Sequence, residues 1–171
     1  MIGFLIGFMG SGKSTLGRAV KDAGQLPFID LDNYIVVRAG KPIPAIFDEG
    51  GEALFRKLEI EALQSLIMAK PENLLIACGG GTPCFGENMK LMNEAGESFY
   101  LKTPLESIYQ RLLPQKAERP LIRDLSDEEL KEFIADLLEK RESYYLQAKY
   151  HLALEQQHPD FIHNILLNTS Y

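Results

Sequence analysis

Short apolar runs alternate along the chain with longer stretches whose apolar positions recur every three or four residues. The runs fall at 2–8, 26–31, 74–78, 98–101 and 150–154. Their length and their flanking turn residues predict strands. The first, IGFLIGF, is apolar throughout and so predicts a strand covered on both faces, as in a parallel sheet. Helical spacing marks 13–23, 51–69, 87–95, 103–113, 126–148 and 159–167. Strands alternating with helices predict a three-layer α/β/α fold around a mostly parallel sheet. No internal repeat or Ser/Gly linker interrupts the series, so residues 1–171 are expected to form one domain.

Two stretches break the rhythm. Residues 39–50 (AGKPIPAIFDEG) carry two prolines between glycines and predict a turn with a short helix at most. Residues 114–125 (PQKAERPLIRDL) form a charged, proline-bounded connection between two helical stretches, the character of a mobile lid or a plain surface loop.

Composition narrows the class without naming it. The hydrophobic fraction is 46% and the charged fraction 25%, as in an ordinary globular domain. Lys and Arg total 18 against 24 Asp and Glu, a net charge of −6, which argues against a general nucleic-acid binder. Two cysteines, Cys78 and Cys84, are too few for a disulfide framework and read as reduced thiols of a cytosolic protein. Residues 1–9 are apolar but lack a basic leader and are too short to span a bilayer. A buried first strand accounts for them better than a targeting segment.

The strongest chemical signal lies at 7–15. Gly7-Phe-Met-Gly10-Ser11-Gly12-Lys13-Ser14 fits GxxxxGK[ST], with a predicted strand before it and a predicted helix after it. Glycines let successive N–H groups turn toward phosphate oxygens, and the following helix adds its positive N-terminal dipole. Lys13 can reach the β- and γ-phosphates, and the Ser14 hydroxyl can ligate Mg²⁺. A phosphate loop by itself does not separate a kinase from a nucleotide switch.

The acceptor side must come from elsewhere. Asp30-Leu-Asp32 ends the second predicted strand, where carboxylates two apart share a face. One could complete a Mg²⁺ shell and the other accept a proton from a substrate hydroxyl; turn or cap roles are the plainer alternative. Arg56 heads the apolar series Ile60, Leu63, Ile67, although it could simply pair with Glu52 on an exposed face. Arg141 continues the stripe Leu130, Phe133, Ile134, Leu137, Leu138, where a guanidinium needs a partner; snorkelling at the stripe's edge or pairing with an internal carboxylate is the plainer alternative. Two inward arginines suit an acceptor that carries a carboxylate. Gly79-Gly80-Gly81 closes the third strand and implies either a tight turn or close approach of a ligand or neighbouring backbone. That strand does not end in the Asp expected of a switch or motor protein, which weighs against those classes.

Taken in order, GFMGSGKST (7–15), DLD (30–32), IFDEGGEALFRKLE (46–59), GGG (79–81), ERPLI (118–122) and Arg141-Glu-Ser-Tyr-Tyr resemble the shikimate kinase family of nucleoside-monophosphate-kinase-like P-loop enzymes. The phosphate loop is shared with many unrelated proteins; the combination with DxD, FDxxGExxFRxxE and GGG is specific. Thr82-Pro83-Cys84 and residues 155–159 contribute nothing to the likeness.

The resemblance implies a P-loop NTPase fold with a five-stranded parallel sheet of order 2-3-1-4-5. It implies ATP-dependent phosphorylation of the shikimate 3-hydroxyl in chorismate and aromatic amino-acid biosynthesis. Asp30 would hold Mg²⁺ with Ser14, and Asp32 would bind the acceptor hydroxyl and act as base. Arg56 and Arg141, with Gly79, Gly80 and Gly81, would bind shikimate, within an acceptor region at about 30–60. ATP would meet Gly10, Ser11, Gly12, Lys13, Ser14, Thr15, Arg111 on the adenine side, and Arg119. Arg119 would swing over the transferring phosphate on a lid at about 113–125. The expected protein is cytoplasmic and monomeric, binds ATP and shikimate, and uses neither nucleic acid nor membrane. Gluconate-type and nucleoside-monophosphate kinases are the nearest alternatives, and a non-kinase nucleotide switch is a more distant one.

Overall fold

The computed structural model describes residues 1–119 and 121–168. Pro120 of the ERPLI segment and residues 169–171 lie outside the described residues. Strands β1 (Ile2–Ile6), β2 (Phe28–Asp30), β3 (Leu74–Ala77), β4 (Glu97–Leu101) and β5 (Tyr150–Leu152) form one parallel sheet. Its order is β2-β3-β1-β4-β5, as the family resemblance implies. The sheet puts the phosphate-loop strand β1 at the centre, with β3 and its glycines immediately beside it.

Helices α1 (Lys13–Asp22), α2 (Leu31–Ala39), α3 (Ile43–Met68), α4 (Asn88–Ala95), α5 (Leu105–Leu112), α6 (Asp127–Tyr145) and α7 (Pro159–Asn168) cover both faces. The two-residue period of β1 divides the core between them. Phe4 and Ile6 join Leu31, Ile35, Leu63, Met92 and Ile134 on one face. Leu5 joins Leu16, Val20, Ile162 and Leu166 on the other. Burial on both faces explains why β1 reads as apolar throughout.

Local chemistry ends the elements where the sequence carries punctuation. The Ser126 hydroxyl accepts from the Glu129 N–H at 3.1 Å, and the Glu129 carboxylate accepts from the Ser126 N–H at 2.6 Å, a reciprocal cap on α6. Beyond α5 a 3-10 helix runs Leu113–Glu118, and fully buried Ile122 then pins the connection to the core.

One element was not expected. Residues 31–39 form helix α2, because Asp30 leaves β2 as an N-cap and accepts from the N–H groups of Asp32 and Asn33. The 39–50 stretch holds the expected turn and short helix: Pro42 caps α3, whose first part runs from Ile43 to a break at Gly51, where φ is 64° and the next expected helix begins.

Candidate functional site

The phosphate loop curls back over β1. Gly7, Gly10 and Gly12 have φ of 140°, 76° and 104°, a region that side-chain-bearing residues rarely adopt. Gly12 caps α1 with no side chain on its amides and no acidic residue in the first turn. The N-terminal donors of α1 are thus left to an anion. Lys13 folds back into the loop and donates to the Gly7 and Phe8 carbonyls at 2.8 Å each. Burial lowers its pKa to about 8, against the opposing pull of Asp32, Cys78 and Asp30.

Asp30 and Asp32 do not share a strand face as their spacing suggests. Asp30 ends β2, and Asp32 lies in the first turn of α2. The helix separates their tasks. Asp30 caps α2 with one oxygen, and its other oxygen accepts from the Ser14 hydroxyl at 2.5 Å. Asp32 faces inward, and its Oδ1 is buried with no hydrogen-bond partner. Burial, then the charges of Asp30 and Glu59, push Asp32 up to about 6, despite Lys13 and Arg56.

The Ser14–Asp30 pair offers two hard oxygens beside the phosphate loop. Among the described residues no group of three or more His, Cys, Asp or Glu could hold a metal ion. A pair of oxygens suits Mg²⁺, which keeps waters and takes further ligands from substrate phosphates rather than from an all-protein cage.

Each of the three glycines after β3 makes room for something specific. A Cβ at Gly79 would begin 2.9 Å from Glu59 Oε1 and 3.3 Å from Asp32 Oδ1. At Gly80 it would meet the Met9 N–H nitrogen of the phosphate loop at 3.2 Å and Arg141 Nη1 at 3.5 Å. At Gly81 it would strike Arg56 Nη2 at 2.5 Å. Both readings of the triple glycine hold: the Thr82 N–H donates to the Gly79 carbonyl at 3.1 Å and closes a turn, and neighbours approach all three glycines closely, with Gly80 between the phosphate loop and Arg141.

Arg56 is held from three directions. It pairs with exposed Glu52 at 3.0 Å and with fully buried Glu59 at 2.8 Å, and its guanidinium lies 4.1 Å from the centre of the Phe85 ring. Both the exposed-pair reading and the inward reading of Arg56 thus describe part of it. Glu59 also accepts from the buried Thr82 hydroxyl at 2.5 Å. Arg141 differs: among the described residues no carboxylate lies within 4.0 Å of it. One turn on, Tyr145 donates to the Gly80 carbonyl at 2.6 Å, fastening α6 to the glycine turn.

A cavity of about 740 Å³ runs along the phosphate loop and is lined by Gly10, Ser11, Gly12, Lys13, Ser14, Thr15, Asp30, Asp32, Gly79, Gly80, Arg111 and Arg119. Arg56, Gly81 and Arg141 stand outside that lining. Arg119 donates to Gln115 at 2.9 Å on the cavity edge. Arg111 braces the loop, donating to the Gly10 and Ser11 carbonyls at 3.2 and 3.0 Å. The sequence assigns no role to Glu59, Thr82 or Tyr145, although Glu59 closes the FDxxGExxFRxxE motif. Glu59 could have been found, since it stands three residues after Arg56, at a spacing that faces it.

The shikimate kinase family profile matches residues 9–169. The shikimate kinase of Azobacteroides pseudotrichonymphae is 48% identical over 145 residues, which cover 85% of each chain. The crystal structure of shikimate kinase from Bacteroides thetaiotaomicron superposes with a TM-score of 0.86 at 39% identity, covering 99% of this chain and 97% of that one. Shikimate kinase from Acinetobacter baumannii in complex with shikimate gives 0.83 at 32% identity, covering 99% and 94%. With a parallel sheet in the expected order and a phosphate cradle walled from an arginine cluster by three glycines, the chain belongs to the shikimate kinase family.

Proposed function

We propose that the chain transfers the γ-phosphoryl group of ATP to the 3-hydroxyl of shikimate. The observation that carries this reading is Asp32, which lines the same cavity as Lys13 and Ser14 and whose buried Oδ1 has no hydrogen-bond partner. A carboxylate held near 6 is ionised at neutral pH yet basic enough to accept a proton in the transition state. ATP lies with its phosphates on the loop amides and the α1 N-terminus, where Lys13 exchanges its carbonyl partners for phosphate oxygens. Ser14 and Asp30 would hold Mg²⁺, which would supply neutralising positive charge for the transferring phosphate.

Shikimate sits beyond Gly80, its carboxylate toward Arg56 and Arg141 and its hydroxyls toward Asp32. The 3-oxygen forms its bond to the γ-phosphorus as the bond to the β–γ bridging oxygen breaks. The hydroxyl proton passes to Asp32 and ADP leaves. Arg119, carried on a lid at about 113–125, adds positive charge over the transferring group and helps exclude water. The chain acts as one domain, with the acceptor region at about 30–60, as a cytoplasmic monomer with two small anionic substrates. Among the described residues no helix is long and apolar enough to cross a membrane.

A coupled ADP-release assay tests the reading, with the phosphoester product identified by phosphorus NMR. Shikimate is expected to turn over, with gluconate and nucleoside monophosphates at background. Turnover of one of those with shikimate inert would reverse the assignment.

A further inference from the structure

Thr82-Pro83-Cys84 carries none of the motifs that identify the family, yet Thr82 is fully buried and its hydroxyl reaches into the acceptor side. Three contacts fix it there. Its N–H donates to the Gly79 carbonyl at 3.1 Å, its carbonyl accepts from buried Asn88 at 2.9 Å, and its hydroxyl donates to Glu59 at 2.5 Å. Glu59 is fully buried and holds Arg56 Nη1 with its other oxygen.

A buried carboxylate keeps its charge and its place only while both oxygens are satisfied. Arg56 takes one and Thr82 the other, so the hydroxyl helps decide where the Glu59 carboxylate sits. The same short turn delivers Phe85, whose ring carries the Arg56 guanidinium. We propose that Thr82 is a positioning residue for acceptor binding: through Glu59 it aims Arg56 at the acceptor carboxylate. This rests on the shikimate kinase reading above and adds a residue to it.

The test is steady-state kinetics with each substrate varied, on wild type, Thr82→Val and Thr82→Ser. Valine keeps the volume and removes the donor; serine keeps the donor. Loss of one hydrogen bond to a charged group is expected to raise the shikimate KM roughly tenfold in Thr82→Val. The ATP KM should stay at its wild-type value, and Thr82→Ser should restore the shikimate KM. A merely structural threonine would lower the melting temperature without separating the two KM values. An unchanged shikimate KM in Thr82→Val, or an equal rise in both KM values, would overturn the inference. Should the valine variant fail to fold, Thr82→Ala carries the same comparison. Wild-type protein inert toward shikimate would instead overturn the functional reading, and this inference with it.

Discussion

The Tyr145 hydroxyl donates to the Gly80 carbonyl at 2.6 Å, joining two residues 65 positions apart in the chain. Tyr145 is one helical turn from Arg141, and Gly80 separates Arg141 from the phosphate loop. One phenol therefore sets the arginine helix against the glycine turn beside the phosphate loop. Tyr145→Phe removes that link at constant ring volume. A neutral hydrogen bond is worth about 1 kcal/mol, so the shikimate KM should rise about fivefold with the ATP KM unchanged. Kinetics with each substrate varied will show it, and a rise confined to ATP would contradict the placement.

Arg141→Ala should weaken acceptor binding more severely. Hydrogen bonds to charged groups contribute about 1.5–3 kcal/mol, which corresponds to a rise in shikimate KM of roughly ten- to a hundredfold. Titration calorimetry with ATP should give a wild-type dissociation constant. A wild-type shikimate KM would remove Arg141 from the carboxylate clamp.

Lys13→Ala should leave a folded protein that barely turns over. Lys13 is buried and its charged form is disfavoured by that burial, so its loss relieves a desolvation cost while breaking two bonds to loop carbonyls. Loss of an electrostatic contact to the transferring group is expected to lower kcat by about two to three orders of magnitude. Circular dichroism should show native helix content alongside the lost activity.

The pH profile of kcat/KM follows from two displaced groups. Asp32 must be ionised to accept a proton, so activity should fall as pH drops through about 6. Lys13 must stay cationic to meet phosphate, so activity should fall as pH rises through about 8. Because kcat/KM reports the free enzyme, both limbs belong to the substrate-free values. A profile flat from about pH 5 to 9 would exclude these assignments.

Asp32 also predicts a conflict between activity and stability. Its folded pKa of about 6 lies above the ordinary 3.8, so folding favours the neutral carboxyl. That contribution is complete below the unfolded value and is lost as pH rises through the folded one. Asp32→Asn keeps the neutral form at every pH. It should melt roughly 3 °C above wild type at pH 8 and with wild type near pH 4, while losing turnover. A lower melting point at pH 8 would show that the ionised carboxylate is not strained.

Much of this was legible in the sequence because periodicity reports burial directly. The apolar run of β1 gave away a strand covered on both faces, and Ser126 with Glu129 marked the start of α6 to the residue. The phosphate loop was legible because its glycines and Lys13 serve one local geometry. Helix α2 was missed because Asp30 looks like a strand residue until its side chain is seen capping the following turn. Thr82 and Tyr145 act through pairings across 23 and 65 residues, which no local pattern encodes, whereas Glu59 faces Arg56 at a local spacing of three.

The sheet order has a consequence for how the chain becomes an enzyme. β1 carries the phosphate loop yet has no partner until Leu74–Ala77 and Glu97–Leu101 exist on either side of it. As the chain emerges from the ribosome, its most apolar strand must wait through the synthesis of α1, β2, α2 and α3 for its first neighbour. Such distant parallel pairing is slow, and the open strand is exposed to misassociation meanwhile. Nucleotide cannot assist early, because the loop that would grip it takes shape only when the centre of the sheet closes. Truncated nascent chains ending before β4 should therefore lean on chaperones, and ATP affinity should arise late, together with the fold itself.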